Sequence, residues 1–161
     1  MYFMNESLLD EKYLENYLNK LGIIFQIIKY EKPVISSKNA EEHTDGVVAK
    51  SILLICDNKP LLCFLLGKDM IDLNKIKKYF NCNEVRLAKA KEVKEITGYD
   101  IGSVPPVGLK QRIRTIVDKG IIDLNDDQII YCGGGSHYHL LRISKKDLLK
   151  VMEYELYDIK V

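Results

Sequence analysis

The stretch "VVAKSILLICDNKPLLCFLLG", Val47 to Gly67, decides the fold. Two apolar runs flank "DNKP", a turn signal, so the segment reads as a β-hairpin. The first strand is apolar on both faces. Val48, Ile52 and Leu54 share a face with Lys50, and Val47, Ala49, Ser51, Leu53 and Ile55 share the other. A strand of this kind is covered on both sides, as in a sheet layered by helices. Lys50 then cannot be an ordinary solvated charge. It must snorkel, pair with a carboxylate or face a polar pocket, because an unpaired buried charge is strongly destabilising.

Working outward, the spacing predicts a helix from Leu8 to about Lys20, with Ser7 and Asp10 at capping-box spacing and Gly22 as its stop. "IIFQIIKY" reads as a strand ending near Tyr30, Pro33 breaks it, and "SSKNAEEHT" reads as a short helix. After the hairpin, "DLNKIKKYFN" is a helix capped by Asp72, with Ile76, Tyr79 and Phe80 facing inward. "EVRLA" is a short strand and "KAKEVKEITG" a helix stopped by Gly98. "RIRTIVD", "DQIIYC" and "HYHLLRI" are strands, and Ser144 with Asp147 caps the helix "KKDLLKVME". The tail "YELYDIKV" reads either as an edge strand or as disorder. Mixed strands and helices with hairpin links predict an α/β fold of α+β type, one domain over residues 1–161 on a mixed sheet.

Composition excludes several classes. Of 161 residues, 47% are hydrophobic and 29% charged, and the formal net charge is +1, so no global basic field marks a nucleic-acid binder. No apolar run approaches the roughly 20 residues that span a bilayer. The opening "MYFMNESLLDEKYLENYLNK" is too charged for a signal peptide, so a cytoplasmic protein without a membrane partner is expected. Cys56, Cys63, Cys82 and Cys132 form no C-x-x-C pair and are expected to be small buried hydrophobes in a reducing compartment.

Two further stretches stand out. "GYDIGSVPPVGLK", Gly98 to Lys110, holds Gly102, Ser103, Val104, Pro105, Pro106 and Gly108. It is either a rigid connection or a loop that presents N–H groups to an oxyanion or phosphate. "YCGGGSHYHLLRI" places Gly133, Gly134 and Gly135 in succession before Ser136, which suggests a bulge or a close approach to a ligand. His137 and His139 share a strand face and could bind metal only with a third ligand such as His43; hydrogen-bonded histidines are expected, with no metal and no cofactor. The chain has no G-x-S-x-G elbow, no H-E-x-x-H and no P-loop, and Ser51 points to the face opposite Lys50, which argues against a Ser–Lys dyad.

Together, "AKSILL", "TGYDIGSVPPVGL" with its G-x-x-x-P from Gly102 to Pro106, and "IIYCGGGSHYHLLRISKKDLL" resemble the YbaK/prolyl-tRNA-synthetase-associated editing domain family, the trans-editing aminoacyl-tRNA deacylases. The motifs stand in family order and cover the chain from the first helix to about Met152. The resemblance implies a mixed, partly barrel-like sheet flanked by helices. It also implies metal-independent hydrolysis of the ester on mischarged tRNA, typically alanine or cysteine on proline tRNA. By this resemblance Lys50 holds the terminal nucleotide through phosphate, and the backbone around Gly102 holds the aminoacyl carbonyl. Tyr30 lines the pocket, Ser103, Val104, Pro105 and Pro106 continue the loop, and Gly133, Gly134, Gly135 and Ser136 lie beside the terminal adenosine. Some members carry a serine followed by Lys-Arg around this turn; here it reads "GGGSHYH". The implied partners are the aminoacyl end of mischarged tRNA and prolyl-tRNA synthetase, with Lys89, Lys91, Lys94, Lys110, Arg112 and Arg114 as candidate tRNA contacts. The alternative readings are a tRNA- or nucleotide-binding module without catalysis and, more remotely, Schiff-base chemistry at Lys50.

Overall fold

A computed structural model describes residues 8–34, 36–42 and 44–161. Ser7, expected in a cap, and His43, considered as a metal ligand, lie outside the described residues. The hairpin is present as β2 (Val47–Cys56) and β3 (Lys59–Leu66). Its turn is shorter than expected. Only Asp57 (φ 47°) and Asn58 (φ 69°) turn the chain, the paired positive φ values that match strand twist. Lys59 and Pro60 are strand residues opposite Cys56 and Ile55.

The remaining strands are β1 (Gln26–Lys29), β4 (Val85–Leu87), β5 (Arg114–Asp118), β6 (Ile129–Gly133), β7 (His139–Ser144) and β8 (Glu155–Tyr157). They form an eight-stranded mixed sheet in the order β1-β7-β6-β2-β3-β5-β8, with β4 on β2 beside this path. The path is open, so the sheet is not closed into a barrel. Among the described residues six helices accompany it: α1 (Glu11–Lys20), α2 (Ser37–Glu41), α3 (Leu73–Tyr79), α4 (Ala90–Thr97), α5 (Lys119–Ile122) and α6 (Lys145–Val151). None is long and apolar enough to cross a membrane. The tail resolves as the edge strand β8, anchored where Ile159 N–H donates to the fully buried Asp118 at 2.8 Å.

Local chemistry explains the helix ends. Asp10 is the N-cap of α1, accepting from Lys12 and Tyr13 N–H groups. Asp72 caps α3 and Ser144 caps α6 as the sequence predicts. Ile76 is buried in α3, but Tyr79 is 40% exposed and instead meets the Tyr157 ring at 4.9 Å. Gly98 ends α4 in the left-handed conformation, at φ 88°.

Strand β2 is covered on both faces. Val48 packs with Val34, Ala40, Tyr131 and Leu140, and Leu54 packs with Cys63, Ile76 and Ile116. Ala49 belongs to the main core with Leu14, Leu18 and Phe64, while Leu53 and Ile55 pack with Tyr99 and Val104.

The cysteines correct an expectation. Cys63 and Cys132 are free and buried, but Cys56 and Cys82 form a disulfide across 26 residues. The β2–β4 pairing brings the two together, and Asp57 clamps the same loop by accepting from Asn83 N–H (2.9 Å) and Glu84 N–H (2.8 Å). These bonds hold the Asp57 carboxyl below the usual carboxylate range. A depressed carboxylate pKa contributes stability above the unfolded pKa and loses it as pH falls through the folded pKa. The Asp57→Asn variant is therefore expected to melt below the wild type at neutral pH. The two melting curves should converge as pH drops below about 4, measured by thermal denaturation across pH.

Candidate functional site

The site follows from how β2 shares its second edge. Along one edge β2 pairs with β3 from Ala49 to Cys56. On the other, β6 runs parallel to it only at Val47 and Val48, and β4 runs antiparallel only at Leu54, Ile55 and Cys56. Between them the sheet is split, and a cavity of about 120 Å³ opens there. Its walls come from both sheet faces: Val48 and Lys50 from one face of β2, Ala49 and Ser51 from the other, with Cys132, Gly133 and Leu140 from β6 and β7. Gly102 and Val104 come from the loop after α4, and Val34, Ser36, Ser37 and Ala40 from the segment that includes α2. Lys50 and Ser51 thus reach one cavity although they sit on opposite strand faces, because the split joins the faces.

Lys50 is partly buried, and its Nζ donates to the Gly67 carbonyl at 3.1 Å. No carboxylate among the described residues forms an ion pair with it. Burial lowers its pKa, and Asp69 offsets this in part. One neutral acceptor leaves the ammonium with donors directed elsewhere. Of the possibilities open from sequence, this is a lysine facing a pocket.

The loop between α4 and β5 is a built wall. Tyr99 is fully buried and its hydroxyl donates to the Gly108 carbonyl at 2.7 Å. Thr97 Oγ1 donates to Val93 O and accepts from Tyr99 N–H, and Lys110 N–H donates to Thr97 O. Gly102 has φ 87°, a backbone that a Cβ would strain, and it is exposed at the cavity. Ser103, Pro105 and Pro106 are buried behind it and do not line the cavity.

The glycine turn has a different cause from the one expected. Each glycine makes room for protein backbone. A Cβ on Gly133 would lie 2.1 Å from Val104 O, one on Gly134 2.6 Å from His139 O, and one on Gly135 2.8 Å from Glu11 N. Of the three, only Gly133 lines the cavity. Ser136 accepts from Tyr138 N–H at 3.0 Å and bonds the His139 ring. His137 bonds the Ile101 carbonyl at 2.9 Å. Among the described residues no cluster of three metal-ligating side chains exists. Tyr30 lies behind the wall, packed with Val34, Ala40, Val48 and Tyr131, and its N–H donates to Tyr138 O.

Cys132 reaches the cavity, but burial pushes its thiol well above the ordinary range, so it stays protonated at neutral pH. The candidate tRNA contacts are largely occupied. Lys94 pairs with Asp100, Arg112 with Glu153 and Arg114 with Glu155, while Lys110 Nζ donates to Glu95 O. Lys89 and Lys91 are exposed. The contribution of α2 was invisible in the sequence beyond its being a short helix. Only tertiary contact, with Gly67 closely packed on Ser37, brings it to the cavity.

The split of the mixed sheet thus holds a small cavity lined by one lysine and a glycine-bearing loop. The aminoacyl-tRNA editing domain family matches residues 36–151, and the chain belongs to that family. Proline–tRNA ligases share part of the chain. That of Streptococcus equi subsp. zooepidemicus is 35% identical over 81 residues, covering 50% of this chain and 13% of the ligase. That of Streptococcus thermophilus is 26% identical over 115 residues, covering 66% of this chain and 18% of the ligase. The chain thus spans only a small part of the curated relatives it matches. Among solved structures, a hypothetical protein superposes with TM-score 0.82 at 25% identity, over 92% of this chain and 99% of the other. A candidate trans-editing enzyme for prolyl-tRNA synthetase superposes with TM-score 0.82 at 24% identity, over 94% of this chain and 96% of the other, a likeness of fold.

Because Gly133 faces the Val104 carbonyl, Gly133→Ala is expected to destabilise the protein by about 1–3 kcal/mol, the range for overpacking a tight contact. Chemical denaturation of the variant against wild type measures this.

Proposed function

We propose that this protein hydrolyses the ester linking a small, wrongly attached amino acid to tRNA, acting in trans as a metal-independent deacylase. The observation that carries the proposal is Lys50, a partly buried ammonium at a 120 Å³ cavity whose bonded acceptor among the described residues is a backbone carbonyl. A compact ammonium is a good point-charge partner for phosphate, here one at the 3′ end of tRNA. The cavity equals roughly four water volumes at ~30 Å³ each, which suits the small side chain of alanine or cysteine. Proline tRNA is the natural carrier, by kinship with the ligases, and prolyl-tRNA synthetase the natural partner.

In this reading a water oxygen bonds to the ester carbonyl carbon and the bond to the ribose oxygen breaks. The ribose oxygen takes up the proton that the water gives up. The protonated Cys132 thiol does not serve as nucleophile, and Ser51 and Lys50 share no hydrogen bond that would make a dyad. Catalysis then rests on positioning and on backbone donors beside Gly102.

A deacylation panel of purified protein across aminoacyl-tRNAs tests the proposal. Alanyl- or cysteinyl-tRNA(Pro) should be cleared faster than prolyl-tRNA(Pro), and equal rates with and without protein on every ester would overturn it. Lys50→Met keeps the stem and removes the charge. It should lower kcat/KM by about 10- to 150-fold, the worth of a charged hydrogen bond of about 1.5–3 kcal/mol, with thermal stability retained. Gly102→Val, which strains a left-handed backbone, should lower the rate by about 10²–10³, as loss of an oxyanion donor does.

A further inference from the structure

Ser51, the residue after Lys50, has main-chain groups that the sheet does not use. On β2 the Val48 carbonyl accepts from Gly67 N–H at 2.8 Å, toward β3. Hydrogen-bonded and non-bonded pairs alternate in an antiparallel ladder, so even positions of β2 face β3 and odd positions face the other edge. The bond from Ala88 N–H to the Leu53 carbonyl, at 2.9 Å on the β4 side, agrees. On that edge the β6 ladder ends at Val48 opposite Tyr131, and the β4 ladder begins at Leu54 opposite Leu87. Ser51 falls between them. Among the described residues nothing bonds its N–H or C=O there. Ser51 lines the cavity and is only partly buried, yet its hydroxyl is covered and unpartnered. The surface it offers the cavity is therefore not its hydroxyl.

We propose that the Ser51 main chain is the rung on which the aminoacyl group docks: the ester carbonyl oxygen accepts from Ser51 N–H, and the α-ammonium donates to Ser51 C=O. This rests on the reading of the cavity as an aminoacyl-ester site. An extended amino-acid unit carries its nitrogen and its carbonyl on one side, with the spacing of a β-partner, so an α-aminoacyl group matches a rung that neither β6 nor β4 fills. The N–H is held rigid because β2 is paired with β3 along its opposite edge from Ala49 to Cys56, on both sides of Ser51. It is thus a second preorganised donor, beside those near Gly102, for the negative charge that grows on the carbonyl oxygen as water adds. Recognition through the main chain also explains how a strand can serve the ester while its side chains alternate into two cores.

The test is nuclear magnetic resonance on the ¹⁵N-labelled protein, titrated with the amide analogues 3′-alanylamino-3′-deoxyadenosine and 3′-propionylamino-3′-deoxyadenosine. The second lacks the ammonium. With the alanyl compound, the Ser51 amide proton should shift downfield and its exchange with solvent should slow by at least about tenfold, the factor of a bond worth about 1.4 kcal/mol. The propionyl compound should bind about tenfold more weakly. Shifts at Lys50, Gly102 and Gly133 with an unmoved Ser51 amide would overturn the inference, as would equal affinity for both compounds. If wild type clears mischarged tRNA while the Ser51 amide stays unmoved, the docking rung falls and the deacylase reading stands. If the protein neither binds the analogues nor hydrolyses any ester, both fall.

Discussion

The structure depends on a missing stretch of hydrogen-bond ladder. Strand β2 is ten residues long and paired with β3 from Ala49 to Cys56, but its second edge is shared by β6 and β4, which do not meet. Backbone groups inside a protein need partners, so a gap in a sheet interior has to be filled by chain, water or ligand. Here the loop after α4 and the glycine turn after β6 close around the gap without sealing it. The cavity is what remains, and Lys50 and Ser51 lie at it because they occupy the unpaired stretch.

Closing the gap requires backbone to approach backbone. Gly133 meets the Val104 carbonyl, Gly134 the start of β7, and Gly135 the first turn of α1. Three successive glycines are thus a packing device for three different neighbours. Gly102 differs, since its left-handed φ of 87° turns exposed main chain past the cavity. Tyr99, fully buried and bonded to the Gly108 carbonyl, keeps that loop from relaxing away.

Electrostatics at the cavity are simple. One ammonium faces it, its pKa lowered by burial, and the thiol beside it is kept neutral. Among the described residues no carboxylate lines the cavity. Elsewhere three of the six cations expected at tRNA are engaged in ion pairs: Arg112 and Arg114 tie β5 and the residues before it to the segment around β8, and Lys94 ties α4 to its following loop.

Much of this was legible in the sequence. Double-sided apolar patterning around Lys50 marked β2 as an interior strand, and capping residues such as Asp72 and Ser144 placed helix ends, because these signals are local. The motif order also pointed to the editing family. The tertiary structure alone decided which residues meet. It set Asp10 as the cap of α1, joined Cys56 to Cys82, spent the triple glycine on neighbouring backbone, and brought Ser36, Ser37 and Ala40 to the cavity wall. The reason is physical. Periodicity records which face of a segment is buried, but a gap between two strands on one edge depends on register between segments some 80 residues apart, such as Val48 opposite Tyr131, and no local pattern carries it.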